Sequence, residues 1–198
     1  MKIDWIALFR TTLFDPKAAA GRLIELRQGL GQETLWMAVV LAAVMNALII
    51  SVGMQIFPPP PEQAAILPPF FHNPALLAMF AAGAIVIMIF VLYWAGLILG
   101  GEAELQDVQV LITWLELVQV AVQVLVLILA LVLPPLAGML NFVAFVWGIW
   151  IFVAFIDRAH RFGNPLKAVG VMVLSLMLMA GGLMVFALMV RLLAGAMA

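Results

Sequence analysis

The sequence predicts an all-α fold, an integral membrane bundle of five transmembrane helices preceded by short amphipathic cytoplasmic helices, and three observations carry that expectation. Of the 198 residues, 67% are hydrophobic and only 10% charged, against roughly a quarter charged in soluble domains. The mean hydropathy is +1.24. The few charges are gathered into short intervals, and the apolar stretches between them reach the roughly 20 residues that a helix needs to cross the hydrocarbon core. Lipid is therefore the expected solvent for most of the chain. With no cysteine, disulfides, thiolate nucleophiles and thiolate metal sites are excluded.

Residues 1–34 read as a cytoplasmic segment. Acidic residues interrupt them, and neither an apolar h-region nor a small-x-small cleavage site follows, so they do not resemble a signal peptide. Ile3, Ile6, Phe9 and Leu13 recur at helical spacing beside Trp5 and Phe14, which predicts a short amphipathic helix over Lys2–Phe14. Asp15-Pro16 then supplies an N-cap and the residue best tolerated at the first helical position, with Gly29 as a stop. Two basic amphipathic helices ahead of a first span are expected to lie in the interface against anionic lipid. Trp5, Lys17, Arg22 and Arg27 are the candidate lipid contacts. A docking surface for a cytosolic partner is the alternative.

Residues 35–198 form the predicted transmembrane domain. No charge falls between Thr34 and Pro61, which places the first span near 35–57. The second fits at 75–99, after a proline-rich connector (Pro58–Pro61, Pro68-Pro69, Pro74) expected to be extended and polyproline-like. Leu117–Ile156 is 40 uncharged residues, too long for one crossing, and Pro134-Pro135 interrupts it. Proline lacks the amide hydrogen and disfavours helix in the residue before it, so the pair marks a tight hairpin between spans at 108–133 and 136–156. The fifth span is expected at 168–193.

Charge sets the orientation. Lys2, Arg10, Lys17, Arg22 and Arg27 precede the first span, Arg158, Arg161 and Lys167 lie between the fourth and fifth, and only Arg191 of the nine basic residues falls on the other side. The positive-inside rule then gives a cytoplasmic N-terminus and an external C-terminus. Trp36, Trp94, Trp114 and Trp150 fall near the cytoplasmic ends, as interfacial rings do, while Trp147 reads as a deeper core residue. The acidic connector GEAELQDVQ at 100–108 reads as a solvated turn, with Glu102, Glu104 and Asp107 also able to receive a basic partner, the N-terminal helices included.

No HExxH, GxSxG or GxxxxGK[ST] signature is present. His72 and His160 fall on opposite sides of the predicted membrane and cannot share a metal. Asp157 and His160 stand three residues apart, but an acid–base site also needs a pocket and an orienting group, so the pair reads as a charged helix end. Gly96 and Gly100 have the spacing of a close helix-packing motif, and the methionines of the last span read as adaptable packing.

The order of parts resembles the bacterial branch of the Yip-domain (Ypt-interacting protein) family. The resemblance rests on LFDPKAAAGRLIE before the spans, the N-in, C-out five-span arrangement, and WGIWIFVAFIDRAHRFGNPLKAVGVMVLSL across the last two. It implies a small all-helical integral protein without catalytic residues. The Asp-Leu-x-Gly-Pro motif of the eukaryotic branch and a proline inside the third span are both absent, so no residue role is carried over. The expected function is non-enzymatic, as a subunit, assembly or membrane-organising factor. Its expected partners are membrane lipids and a membrane-protein complex or homo-oligomer, with no nucleic acid and no cofactor, in a bacterial inner membrane. A small transporter or ion-conducting protein is the alternative.

The one ionisable residue expected inside the spans is Glu116. At 1.5 Å per residue it lies roughly 12 Å below the cytoplasmic start of its span, with Gln119 about 16 Å and Gln123 about 22 Å deep. Their offsets of three and seven place them on one face. Burying a charge at such depth against lipid is unfavourable by at least about 2.5 kcal/mol, so this face should look into the bundle. Matching depths nominate Asn46 and Ser175 as its neighbours, and a buried polar cluster of Glu116, Gln119, Gln123, Asn46 and Ser175 is the candidate site.

Overall fold

The computed structural model describes residues 4–196, so Lys2 and Ile3 of the first predicted helix lie outside the described residues. The described chain is helical, with no strand. Helix α1 runs Trp5–Phe14, opened by the Asp4 side chain accepting from the Ala7 N–H. Helix α2 runs Pro16–Arg27, where the Asp15 side chain accepts from the Ala18 N–H and Pro16 takes the first helical position. Both starts follow from side-chain oxygens that satisfy amide donors left free in the first turn.

Five long apolar helices follow: α3 (Gln32–Ile56), then, after the short α4 (Pro61–Ala64), α5 (Pro74–Ile98), α6 (Leu105–Val132), α7 (Pro134–Ala159) and α8 (Pro165–Ala196). The protein is an integral, multi-pass membrane protein. The connector between α3 and α5 is less extended than its prolines suggest, since α4 and a 3-10 turn at Pro69–His72 interrupt it. One residue, Leu133, separates α6 from α7, with Pro134 opening the next helix.

Helix α3 packs between α5 and α6, α6 continues to α7, and α8 closes the circuit against α5 and α7, with α5 touching α6 across the middle. Helices α1 and α2 bury Leu8, Thr12, Ala19, Ala20 and Leu23 against this bundle rather than lying apart on the surface. Helix α1 is fastened through two indoles. Trp114 donates to the Thr12 hydroxyl at 2.8 Å, and Trp147 donates to the Leu13 carbonyl at 2.9 Å. The latter is a correction to the sequence reading: Trp147 is exposed along the α6–α7 side, not core.

Candidate functional site

The polar residues of α6 line a groove. Asn46 on α3 donates to Glu116 at 3.2 Å, and the carboxylate is half-buried. Nine residues separate Glu116 from Asp107 in the first turn of α6, about 13 Å along the helix axis. Gln119 is exposed, and Gln123 holds a buried Oε1 with no hydrogen-bond partner. These three side chains and Asn141 of α7 give onto a cavity of about 1010 Å³ between α6 and α7. Phe9, Leu13 and Phe14 of α1 also line it.

Ser175 does not join this cluster. It is buried, but α8 packs on α5 and α7, away from the Asn46–Glu116 contact, and its hydroxyl has no partner. Asn141, which carries no charge and sits in an aromatic span, belongs to the groove and was not singled out from sequence. Its signal was available as the one amide in α7.

Two of the candidate lipid contacts serve the protein itself. The Arg27 guanidinium, 9% exposed, donates to Asp107, to Gln106 at 2.8 Å and to Glu104 at 2.9 Å. Asp107 is fully buried and also accepts from the Glu104 backbone N–H. The acidic connector is therefore a receptor for α2, not a solvated turn. Lys17 pairs with Asp157 of α7 at 2.6 Å. Asp157, itself buried, further accepts from the Asn164 N–H and fixes the α7–α8 connector. Trp5 stacks on Trp114 with 5.9 Å between centroids and remains half-exposed, and Arg22 stays exposed near Thr11.

His160 is the least expected residue in this layer. It is 1% exposed, and among the described residues its ring nitrogens have no well-formed hydrogen bond, only a weaker approach to the Leu92 backbone. The ring lies on Gly96 and Gly101, where an added Cβ would come within 1.9 Å and 2.5 Å of it. Gly96 thus admits an imidazole, whereas Gly100, at φ +80, serves the turn that ends α5. Burial holds the imidazole below its ordinary pKa, favouring the neutral ring. Asp157 and His160 are consequently interior fasteners, not a snorkelling helix end. Among the described residues, no group of three or more metal-ligating side chains is present.

The Yip1 domain family model matches residues 10–187. The chain belongs to the Yip1 domain family. The match takes in Thr12, Lys17 and Arg27, helices α3 to α7, most of α8 and all of the groove but Phe9. No curated protein and no solved structure matches the chain.

Proposed function

We propose that this Yip1-domain protein is a non-enzymatic binding component of a bacterial inner membrane, acting through contacts with lipids and other membrane proteins at the α6–α7 groove. The observation that carries the reading is the groove itself. A cavity of about 1010 Å³ lies along helices of membrane-spanning length and presents Glu116, Gln119, Gln123 and Asn141 from otherwise apolar walls. That is the composition of a binding site, apolar lining with a few convergent polar groups. Polar groups left facing hydrocarbon are unfavourable, so they favour an occupant that can hydrogen-bond to them.

Conduction is less well supported. Gln109 and Thr113 continue the Glu116 face toward Asp107, but both are buried and neither lines the groove, so no open polar path leads from it along α6 among the described residues. The test is a photo-crosslinking residue placed at Phe142, in the groove, and at Met79, an exposed position on α5 outside it. Phe142 should give a discrete lipid or protein adduct that Met79 does not give. Identical adducts at the two positions would refute the groove as the working surface.

A further inference from the structure

We infer that the groove takes an uncharged lipid with a hydroxyl head and ester-linked chains, the diacylglycerol class, with the head at Glu116 and the chains running toward Gly138. This rests on the binding reading above and deepens it.

Shape argues for a lipid over a helix. From Phe152 to Gly138 the groove follows α7 for 14 residues, about 21 Å. At its other limit Phe9, Leu13 and Phe14 form a wall, and the Trp147–Leu13 hydrogen bond fixes α1 there. A partner helix crossing the whole bilayer would run into α1. A lipid whose head lies at Glu116, beneath α1, and whose chains follow the groove toward Gly138 would not.

Charge and hydrogen-bonding capacity select the head. Among the described residues, Glu116 is the one ionisable residue lining the groove, and no lysine or arginine lines it. A phosphate would meet a carboxylate and find no cation to pair with, and an ion taken to this depth forfeits far more hydration than a hydroxyl does. Asn46 supplies a single donor to the Glu116 carboxylate, and Gln123 Oε1 is a buried acceptor with none. The unmet need is for a donor, which a hydroxyl provides. Gln119 and Asn141 each carry an NH₂ that can donate to ester carbonyls farther along the groove.

The test uses the full chain in liposomes with a photoactivatable diacylglycerol, followed by peptide mapping. Gly148 lines the groove and an added Cβ there meets nothing within 4 Å, so Gly148→Leu fills the site without a clash. Gly83→Leu, at an equally open position on α5 outside the groove, is the control. Labelling should fall between Ile112 and Phe152, be lost in Gly148→Leu and persist in Gly83→Leu. Unlabelled diacylglycerol should compete and phosphatidylglycerol of the same chains should not. Gln119→Leu, at an exposed side chain whose loss spares the fold, should weaken competition about fivefold, the equivalent of one hydrogen bond. Equal competition by phosphatidylglycerol, or unchanged labelling of Gly148→Leu, overturns the proposal. A protein adduct at Phe142 without lipid labelling overturns it while leaving the binding reading intact, and no adduct of either kind removes both.

Discussion

Replacing Gly96 with alanine tests the cradle that holds His160. The new Cβ would lie 1.9, 2.2 and 2.3 Å from three atoms of the imidazole, where carbon contacts normally settle at about 3.5–4.0 Å. The ring must move by more than an ångström. It is 1% exposed, packs on Gly101 and stacks on Phe162 at 5.3 Å, and the cavity beside it, about 10 Å³, is too small to take the displaced ring. Overpacking of this kind destabilises by about 1–3 kcal/mol, opposed by roughly 0.5–1 kcal/mol that alanine contributes to a helix relative to glycine. The clash should win. Thermal unfolding of the purified protein in mild detergent should therefore show Gly96→Ala less stable than the parent. In a His160→Ala background only the helix gain remains, and the same substitution should become neutral or stabilising. A Gly96→Ala effect of the same sign and size in both backgrounds would refute the cradle, because the two positions would then be energetically independent.

Arg27→Ala leaves the Asp107 carboxylate buried without its cation and should destabilise by about 3–5 kcal/mol in the same assay. Arg27→Lys should recover part of this, since an ammonium cannot serve three acceptors in the guanidinium's geometry. For His160, an unfolded imidazole titrates near 6.5 and burial depresses the folded value. The unfolded chain therefore takes up this proton first as pH falls, so the contribution of His160 is intact above about pH 6.5 and is lost below it. A His160→Gln chain should lose less stability than the parent between pH 7 and pH 5, and parallel losses would contradict a buried neutral ring. Glu116→Gln keeps an acceptor for Asn46 and should leave unfolding nearly unchanged, whereas Glu116→Leu strands the Asn46 amide at about 1–3 kcal/mol. A periplasm-active reporter fused after Ala198 should work and one after Gly101 should not; the reverse pattern would sink the N-in, C-out orientation.

The spans were legible because lipid imposes a one-dimensional rule: a stretch without charges, long enough to cross, is a helix. The α6–α7 break was legible for a local reason, since Pro134 can open a helix but cannot continue one. Depth counting along two helices places Asn46 opposite Glu116, but depth carries no information about which helices touch. That is why Ser175, at a matching depth, lies with α5 and α7 instead. The layer formed by α1, α2 and the helix ends they touch was harder for another reason. A basic residue that pairs with lipid and one that pairs with a carboxylate look alike in sequence, and the partner of Arg27 lies on α6 while that of Lys17 lies on α7. The glycine seat of His160 was hidden because Gly96 reads equally well as a helix-contact glycine, and only the fold brings an imidazole to it.

The single-residue junction at Leu133 limits how α6 and α7 can move. With no slack between them, the two helices cannot slide past each other along the membrane normal, and relative motion reduces to rotation about that pivot, like the arms of a pair of tweezers. Helix α2 spans the open tips: Lys17 grips the end of one arm through Asp157, and ten residues later, about 15 Å along, Arg27 grips the start of the other through Asp107. The separation of the arms is thus set by the length of a short rigid rod. Lengthening or shortening that rod by one turn would respace the arms without altering any residue between them.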